Sequence, residues 1–438
     1  MAMSSGGEET VAFEGGRLAK LGSSDGFPEV DDLVNGRLAQ YRIRKSIGRG
    51  EMGRVYEAEH MTLARPCALK VLNPGLLARQ PLMLDQFWAE ARVVASLTHP
   101  NIVTVHNLGT DRGYHFIEME YIPGGLTLKE RLTSDGSFTP MQASVLVHQV
   151  VGALAAAHKA GLVHRDIKPT NVLMAGPAQA KLADFGLVRR LNELDMAGAT
   201  VGGTPTYMAP ELFSGSPASP RSDLYAVGVM FYYLLSRKLP FHSDSITQII
   251  HNHRNEPVPD VRAVVPEASD GLSKILSRCL SKDPIERFEN AEQLEEELET
   301  VIGQMIDTES LVRESVEGLD CFIQGARDNH RIIFKLPNDR IQEVYLEVTH
   351  GRHNERLLSV FSVCCPAEAK HFEFALKLNA ELTYGGLSVR VVNGVPMFVM
   401  SRTYSVAHVD PIEIRAALRE IARRSDWVEQ QLTHADIY

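Results

Sequence analysis

Between His164 and Gly186 the chain sets two aspartates, a lysine and an asparagine at fixed intervals. His164-Arg165-Asp166-Ile167-Lys168-Pro169-Thr170-Asn171 has the spacing H-R-D-x-K-x-x-N, and Asp184-Phe185-Gly186 follows a short predicted strand, Lys181 to Ala183. Such a set suits phosphoryl transfer, which asks little covalent chemistry of a protein and much positioning of oxygens and neutralising of charge. Asp166 would accept or orient the proton of a substrate hydroxyl, and Lys168 would sit on the transferred phosphate. Asn171 would hold a metal, and Asp184 supplies a carboxylate for Mg2+, a hard ion that prefers oxygen ligands. Two motifs in this order and separation are improbable by chance.

A second cluster lies upstream. Ile47-Gly48-Arg49-Gly50-Glu51-Met52-Gly53-Arg54-Val55 reads G-x-G-x-x-G-x-V, in which glycines let a hairpin backbone approach phosphates closely. A dinucleotide-binding turn competes for this pattern, but a strand and then Cys67-Ala68-Leu69-Lys70 follow the glycines rather than a helix. Lys70 ends a hydrophobic strand, where an ammonium without a partner is costly. It therefore needs an anion, and the helix expected from Pro81 to Leu97 offers Glu90. That pair would hold the amine against the α- and β-phosphates of a nucleotide.

These residues carry a resemblance: the chain resembles the eukaryotic-like (Hanks-type) Ser/Thr protein kinases of bacteria over about residues 41–300. Further motifs agree with it. Ala209-Pro210-Glu211 is similar to the A-P-E element, and Arg287, after Asp283-Pro284, to the arginine that pairs with that glutamate. Asp223 resembles the aspartate that braces the catalytic loop. Glu120-Tyr121-Ile122 resembles the hinge that takes adenine through its backbone, with Met119 as gatekeeper. The resemblance implies ATP and Mg2+ as cofactors, with Ile47, Gly48, Gly50, Gly53, Val55, Ala68, Lys70, Met119, Glu120 and Ile122 around the nucleotide. Asp166, Lys168, Lys70 and Glu90 would be the catalytic set, and Asn171 and Asp184 the metal ligands. Lys168, with Gly203-Thr204-Pro205, implies Ser/Thr substrates in proteins. Departures are mild: Glu51 stands where such loops often have Gly, and Cys67-Ala68-Leu69-Lys70 replaces V-A-I-K.

Arg165 beside Asp166 gives a phosphorylated activation loop a partner, since a phosphate adds close to two negative charges. Thr200 is the first candidate for that modification; Thr204 has a structural role in the substrate-binding segment, and Thr206 is a weaker candidate.

Composition bears mainly on partners and compartment. The net charge is −10, so no nucleic-acid footprint is expected. The basic run Arg415 to Arg424 alternates with apolar residues at helical spacing and reads as a solvated helix face. The five cysteines, Cys67, Cys279, Cys321, Cys364 and Cys365, lack metal-ligand spacing and suit a reducing compartment. Strand geometry would send the adjacent Cys364 and Cys365 to opposite faces. Without a run of about 18 apolar residues, no membrane span is expected, nor a signal peptide in Met1 to Lys20, and the expected location is cytoplasmic.

Downstream, Glu292, Glu295, Glu296, Glu297 and Glu299 crowd one helix. Strands are expected over Arg331–Leu336, Gln342–Val348 and Leu357–Cys364, then a helix over Glu368–Leu382 with Phe372, Ala375, Leu376 and Leu378 near one face. Asn393-Gly394 between two apolar runs is a strong hairpin signal, and Pro396 in the second arm suggests an edge strand or a bulge. A helix from about Pro411 to Leu432 closes the pattern. His330, His350, His353, His371 and His408 are scattered, with ordinary polar or packed roles favoured over metal binding. The order of elements resembles the small α/β fold of type III secretion chaperones and YbjN-type regulators, which implies a partner-binding module and pairing of two chains.

The expected fold class is therefore α+β: a bilobal kinase fold with a second, smaller α/β domain. The expected divisions are a flexible leader at 1–40, with one short helix near Asp31 to Gln40, a kinase domain at 41–300, a helical connector at 301–325 and the chaperone-like domain at 326–438. Two other readings stay open. One is a pseudokinase scaffold, which the intact Lys70, Asp166, Asn171 and Asp184 oppose; the other is a chaperone regulated by its own kinase domain.

Overall fold

The computed structural model describes residues 33–50, 53–74, 82–185, 205–337, 340–352, 355–382 and 385–433, with a few side chains inside these ranges, Glu90 among them, left undescribed. It divides into two compact units, Met1–Trp88 with Val105–Tyr121, and Ala89–Thr104 with Ile122–Tyr438.

The first unit is an antiparallel sheet of six strands: β1 (Arg37–Leu38), β2 (Tyr41–Gly50), β3 (Gly53–His60), β4 (Arg65–Leu72), β5 (Val105–Asp111) and β6 (Tyr114–Met119). Their order across the sheet is β1-β2-β3-β4-β6-β5. Alternation along β4 turns Cys67, Leu69 and Val71 into a core with Tyr41, Ile43, Tyr56 and Phe116. Ala68 and Lys70 must then point to the opposite face. The described part of the helix expected near Asp31 to Gln40 is mostly turn, with only the two-residue strand β1, whose Leu38 is fully buried.

Helix α1 (Leu82–Ser96) spans the division between the units. The second unit holds α2 (Leu128–Asp135), α3 (Pro140–Lys159), the β7–β8 hairpin (Val172–Gly176 and Gln179–Leu182), α4 (Pro220–Ser236), α5 (Ile246–Asn255), α6 (Asp270–Cys279) and α7 (Ala291–Met305). Helix α3 begins where its chemistry dictates: Thr139 caps it reciprocally with Gln142, and Pro140 occupies the first turn, where no N–H is missed. By length and composition α3 alone among the described helices suits a membrane, against the expectation of no such stretch. Its apolar surface is taken up inside the unit instead, with Leu146, Val147, Val150, Val151 and Leu154 buried.

His253 on α5 is fully buried, ringed by Phe213, Tyr225 and Phe241, with Nδ1 2.8 Å from the Tyr225 hydroxyl. Burial, with the Lys282 charge second, lowers its pKa from 6.5 to about 4. The folded state thus prefers the neutral ring, and the unfolded chain takes up the proton first. The stabilisation is complete above about pH 6.5 and is lost as pH falls toward 4, by about 3 kcal/mol at pH 4. Urea unfolding from pH 7 to 4 should show a shallower loss of stability in His253→Asn than in the wild type. Superimposable pH profiles for the two proteins would exclude this role.

Beyond α7 come α8 (Thr308–Val316) and a second antiparallel sheet of β9 (Cys321–Ala326), β10 (Asn329–Leu336), β11 (Arg340–His350), β12 (Arg356–Pro366), β13 (Gly386–Val392) and β14 (Val395–Ser405), ordered β13-β14-β12-β11-β10-β9. Helices α9 (Phe372–Glu381) and α10 (Pro411–Thr433) complete it. Ile414, Leu418, Ile421 and Val428 of α10 and Val312 of α8 bury one face with Ile332, Val344, Leu346, Leu358 and Val360. On the other face Phe361, Met397 and Val399 cluster with Tyr345. The Arg356 guanidinium ties this sheet to the preceding helices, donating to the Gly303 and Ile306 carbonyls at 2.9 Å and to Asp328 at 2.8 Å.

Several expectations change here. The helical stretch expected to run to about Gly325 ends at Val316, and Cys321–Ala326 is strand, paired along β10. Cys364 and Cys365 do not part to opposite faces, because a bulge between Val363 and Cys365 lets both enter one core as free thiols. Strand β14 is interior, not an edge; Pro396 is tolerated because it sits at the start of the strand, one residue before its pairing with β12 begins at Met397. On α9, Ala375 and Leu378 are buried, but Phe372 and Leu376 are exposed, 45% and 72%. A 3-10 turn at Ala369–His371 delays the helix, and Phe374 stacks on Trp427 of α10 instead. The Asn393-Gly394 turn is as expected, both residues having positive φ between paired Val392 and Val395.

Candidate active site

The sheet register of the first unit gathers the residues expected around a nucleotide. Lys70 pairs with Val55 on one side and Ile117 on the other, while Ala68 pairs with Met119. Directly opposed residues share a face, and alternate residues do too. Val55, Ala68, Lys70 and Met119 therefore project from one face, away from the Cys67, Leu69 and Val71 core. Gly48 faces Val55, and Gly50 pairs with Gly53 at the hairpin end. Gly53 has a steric reason: a Cβ there would fall 2.0 Å from the Val71 carbonyl oxygen. Ile47 is the extra residue of a bulge between Ser46 and Gly48 and is 43% exposed. After Met119, Tyr121 donates its hydroxyl to Glu57 at 2.9 Å. Glu120 lies between them, and Ile122 is a buried residue of the second unit.

In the second unit the loop after α3 is organised by Asp223 on α4. This buried carboxylate accepts the backbone N–H groups of His164 and Arg165, each at 2.8 Å, and lies 2.9 Å from His158 Nε2. His164 is fully buried beneath the loop. Its Nδ1 accepts the Asp166 N–H at 3.2 Å, so Nε2 carries the proton and donates to the Ala183 carbonyl at 3.0 Å. Burial lowers the His164 pKa and so favours this neutral ring. The loop is thereby fastened both to α4 and to the segment that carries Asp184.

Above that base, one carboxylate oxygen of Asp166 has two partners. Lys168 Nζ lies 2.8 Å from Asp166 Oδ2, and the Asn171 amide donates to the same oxygen at 2.9 Å and to the Asp166 carbonyl at 2.8 Å. The Ala183 N–H donates to the Asn171 carbonyl at 2.9 Å, which sets Asp184 next in the chain. Arg165 and Asp184 both have positive φ, 67° and 54°, a conformation that costs a non-glycine residue of order 1 kcal/mol or more and persists only where neighbours enforce it. With its amide nitrogen committed to Asp166, Asn171 has its oxygen to offer an ion. That oxygen and the Asp184 carboxylate are hard donors of the kind Mg2+ takes, so the residues fit the ion.

Glu211 and Arg287 form a bidentate ion pair, both contacts 2.8 Å, with the Arg287 side chain wholly buried. The guanidinium also donates to the Ser281 and Arg221 carbonyls and lies over the Tyr225 ring. Thr206 is buried. Glu51, Gly186, Thr200, Gly203 and Thr204 lie outside the described residues, as does the Glu90 side chain. Sequence reasoning missed His158. Its position in the last turn of α3, just ahead of the loop, was the available signal.

A sheet that presents a glycine hairpin and a lysine, and an acidic loop braced by a buried aspartate, are together the parts of a phosphotransferase. A family model of the protein kinase domain matches residues 41–298, and the chain belongs to that family. It is 35% identical over 270 residues to serine/threonine-protein kinase PrkC of Bacillus subtilis, covering 61% of this chain and 41% of that protein. Identity is 35% over 268 residues to PknL of Mycobacterium tuberculosis, covering 61% of this chain and 67% of the relative. For pkn3 of Myxococcus xanthus it is 36% over 301 residues, with coverage of 66% and 55%. The chain thus spans about two-fifths of the length of the first of these relatives.

Proposed function

We propose that the chain is a Ser/Thr protein kinase that transfers the γ-phosphoryl group of Mg·ATP to Ser or Thr hydroxyls of proteins. The observation that carries this is the arrangement at Asp166, whose carboxylate oxygen meets both Lys168 and Asn171 within 2.9 Å. Asp166 would orient the substrate hydroxyl and take its proton, and Lys168 would neutralise charge on the moving phosphoryl group. Asn171 and Asp184 would hold Mg2+, which when bound supplies charge neutralisation at the phosphate oxygens. Val55, Ala68 and Met119 give an apolar wall suited to a base, and Lys70 on the same face gives a cation for its phosphates. Glu90 would pair with Lys70.

The finer reading is that the kinase phosphorylates itself at Thr200, works in the cytoplasm, and carries at 326–438 a chaperone-like module that binds a partner or pairs two chains. The second sheet supports the last point by its separate core and by the cluster of Phe361, Met397 and Val399 on its other face. Dimerisation would raise the effective concentration for phosphorylation in trans. Incubation of the purified chain with radiolabelled Mg·ATP tests the whole reading. Label is expected in the wild type and reduced at least about a hundredfold in Asp166→Ala. Equal label in both proteins would refute the catalytic assignment, label mapping elsewhere would refute Thr200, and sedimentation as a monomer at all concentrations would refute pairing.

A further inference from the structure

Outside the catalytic loop the second unit brings together three side chains from distant parts of the chain. His148 lies on α3, Glu299 on α7, and His408 between β14 and α10. One ring nitrogen of each histidine and a carboxylate oxygen of Glu299 all lie within 4.8 Å of one another. The two rings are 5.4 Å apart between centroids, and His408 Nε2 is 3.3 Å from Glu299 Oε1.

We propose that His148, Glu299 and His408 form a Zn2+ site that fastens the segment after β14 to the helix leading into the Asp166 loop. Four observations carry this. First, Nε2 of His148 is buried and has no hydrogen-bond partner among the described residues. A buried ring nitrogen left this way is costly, and a bound ion is one of the few remedies. Second, two imidazoles and a carboxylate are a donor set that suits zinc and leaves a fourth position for water, whereas Mg2+ prefers oxygen alone. Third, Glu299 is already oriented, since Ser405 donates its hydroxyl to Glu299 Oε1 at 2.8 Å. Partners of this kind fix a ligand's direction and raise its affinity for a metal. Fourth, further carboxylates stand along the same helix. Glu295 lies one turn from Glu299, and Glu292 one turn further, with Lys159 3.2 Å from Glu292.

Metal–ligand distances near 2.0–2.2 Å put the donors of a tetrahedral site about 3.3–3.6 Å apart, so the side chains must close by roughly 1 Å. His408 and Glu299 are partly exposed, 54% and 30%, and have room to do so. This assignment reverses the expectation of an ordinary polar role for His408. The spacing of the histidines in sequence could not reveal it, because the ligands come from separate elements. It does not depend on whether the chain transfers phosphate.

The test uses the full chain, stripped of metal by a chelator and titrated with Zn2+ against a chromophoric competitor. One equivalent is expected to bind and to raise the unfolding temperature. Affinity should fall at least about tenfold in both Glu299→Gln and His408→Asn. His408→Asn alters a half-exposed side chain, and an unfolding temperature equal to that of the metal-free wild type would verify its fold. Co2+ in place of zinc should give ligand-field bands without a thiolate charge-transfer band, which sets the site apart from the cysteines. Wild-type affinity in the two variants, no stoichiometric binding, or a thiolate spectrum would each overturn the proposal.

Discussion

Arg287→Ala is expected to destabilise the second unit by about 3–5 kcal/mol, seen as a fall of roughly 5 °C in its unfolding temperature. The magnitude follows from what is left behind. Arg287 is wholly buried and meets both carboxylate oxygens of Glu211 at 2.8 Å, so truncation strands a charge in a site built for two. Two backbone carbonyls, those of Ser281 and Arg221, also lose their donor. Arg287→Lys should recover little, because a single ammonium cannot reproduce the fork that meets Glu211. Scanning calorimetry of the three proteins would check this; a shift of less than 2 °C for Arg287→Ala would show that the pair contributes little.

Asp223→Asn should act on the rate of phosphoryl transfer more than on stability. The carboxylate accepts two backbone N–H groups and faces His158, and it has no role toward substrate in the proposed chemistry. An amide of the same shape keeps one acceptor oxygen and turns an N–H toward the loop, so one of the His164 or Arg165 donors loses its partner. Asp166 would then be displaced by a fraction of an ångström to an ångström, a misplacement that costs on the order of a hundredfold in kcat. KM for ATP should change little, since all but Ile122 of the residues expected around the nucleotide lie in the first unit. Steady-state kinetics on a generic protein substrate would measure the split. A fall in affinity for ATP at unchanged kcat would show that Asp223 acts elsewhere.

The catalytic loop was legible in the sequence because its parts are close neighbours along the chain. Asp166, Lys168 and Asn171 fall within six residues, and their mutual contacts need only local backbone geometry. The strand of Lys70 was legible for a related reason: alternation alone assigns Ala68 and Lys70 to one face. What escaped detection was set by distance or by a single irregularity. The His158 contact to Asp223 depends on the packing of α3 against α4. The joint burial of Cys364 and Cys365 turns on one bulge, which no periodicity announces. The exposed side of α9 was misassigned because a 3-10 turn shifted its start, and because Phe374 found Trp427 in a helix some fifty residues on. Strand β9 was hidden within a helical expectation, since Cys321 to Ala326 has too few alternating apolar positions to signal an edge.

The bulge in β12 has one more consequence. Burial raises the pKa of Cys364 to about 12 and that of Cys365 to about 11, so neither sulfur is an effective nucleophile while the second sheet is closed. An alkylating reagent can reach them only through openings of the core that α10 covers. The pace at which these two sulfurs are capped would serve as a clock for those openings, read by mass spectrometry without any added label.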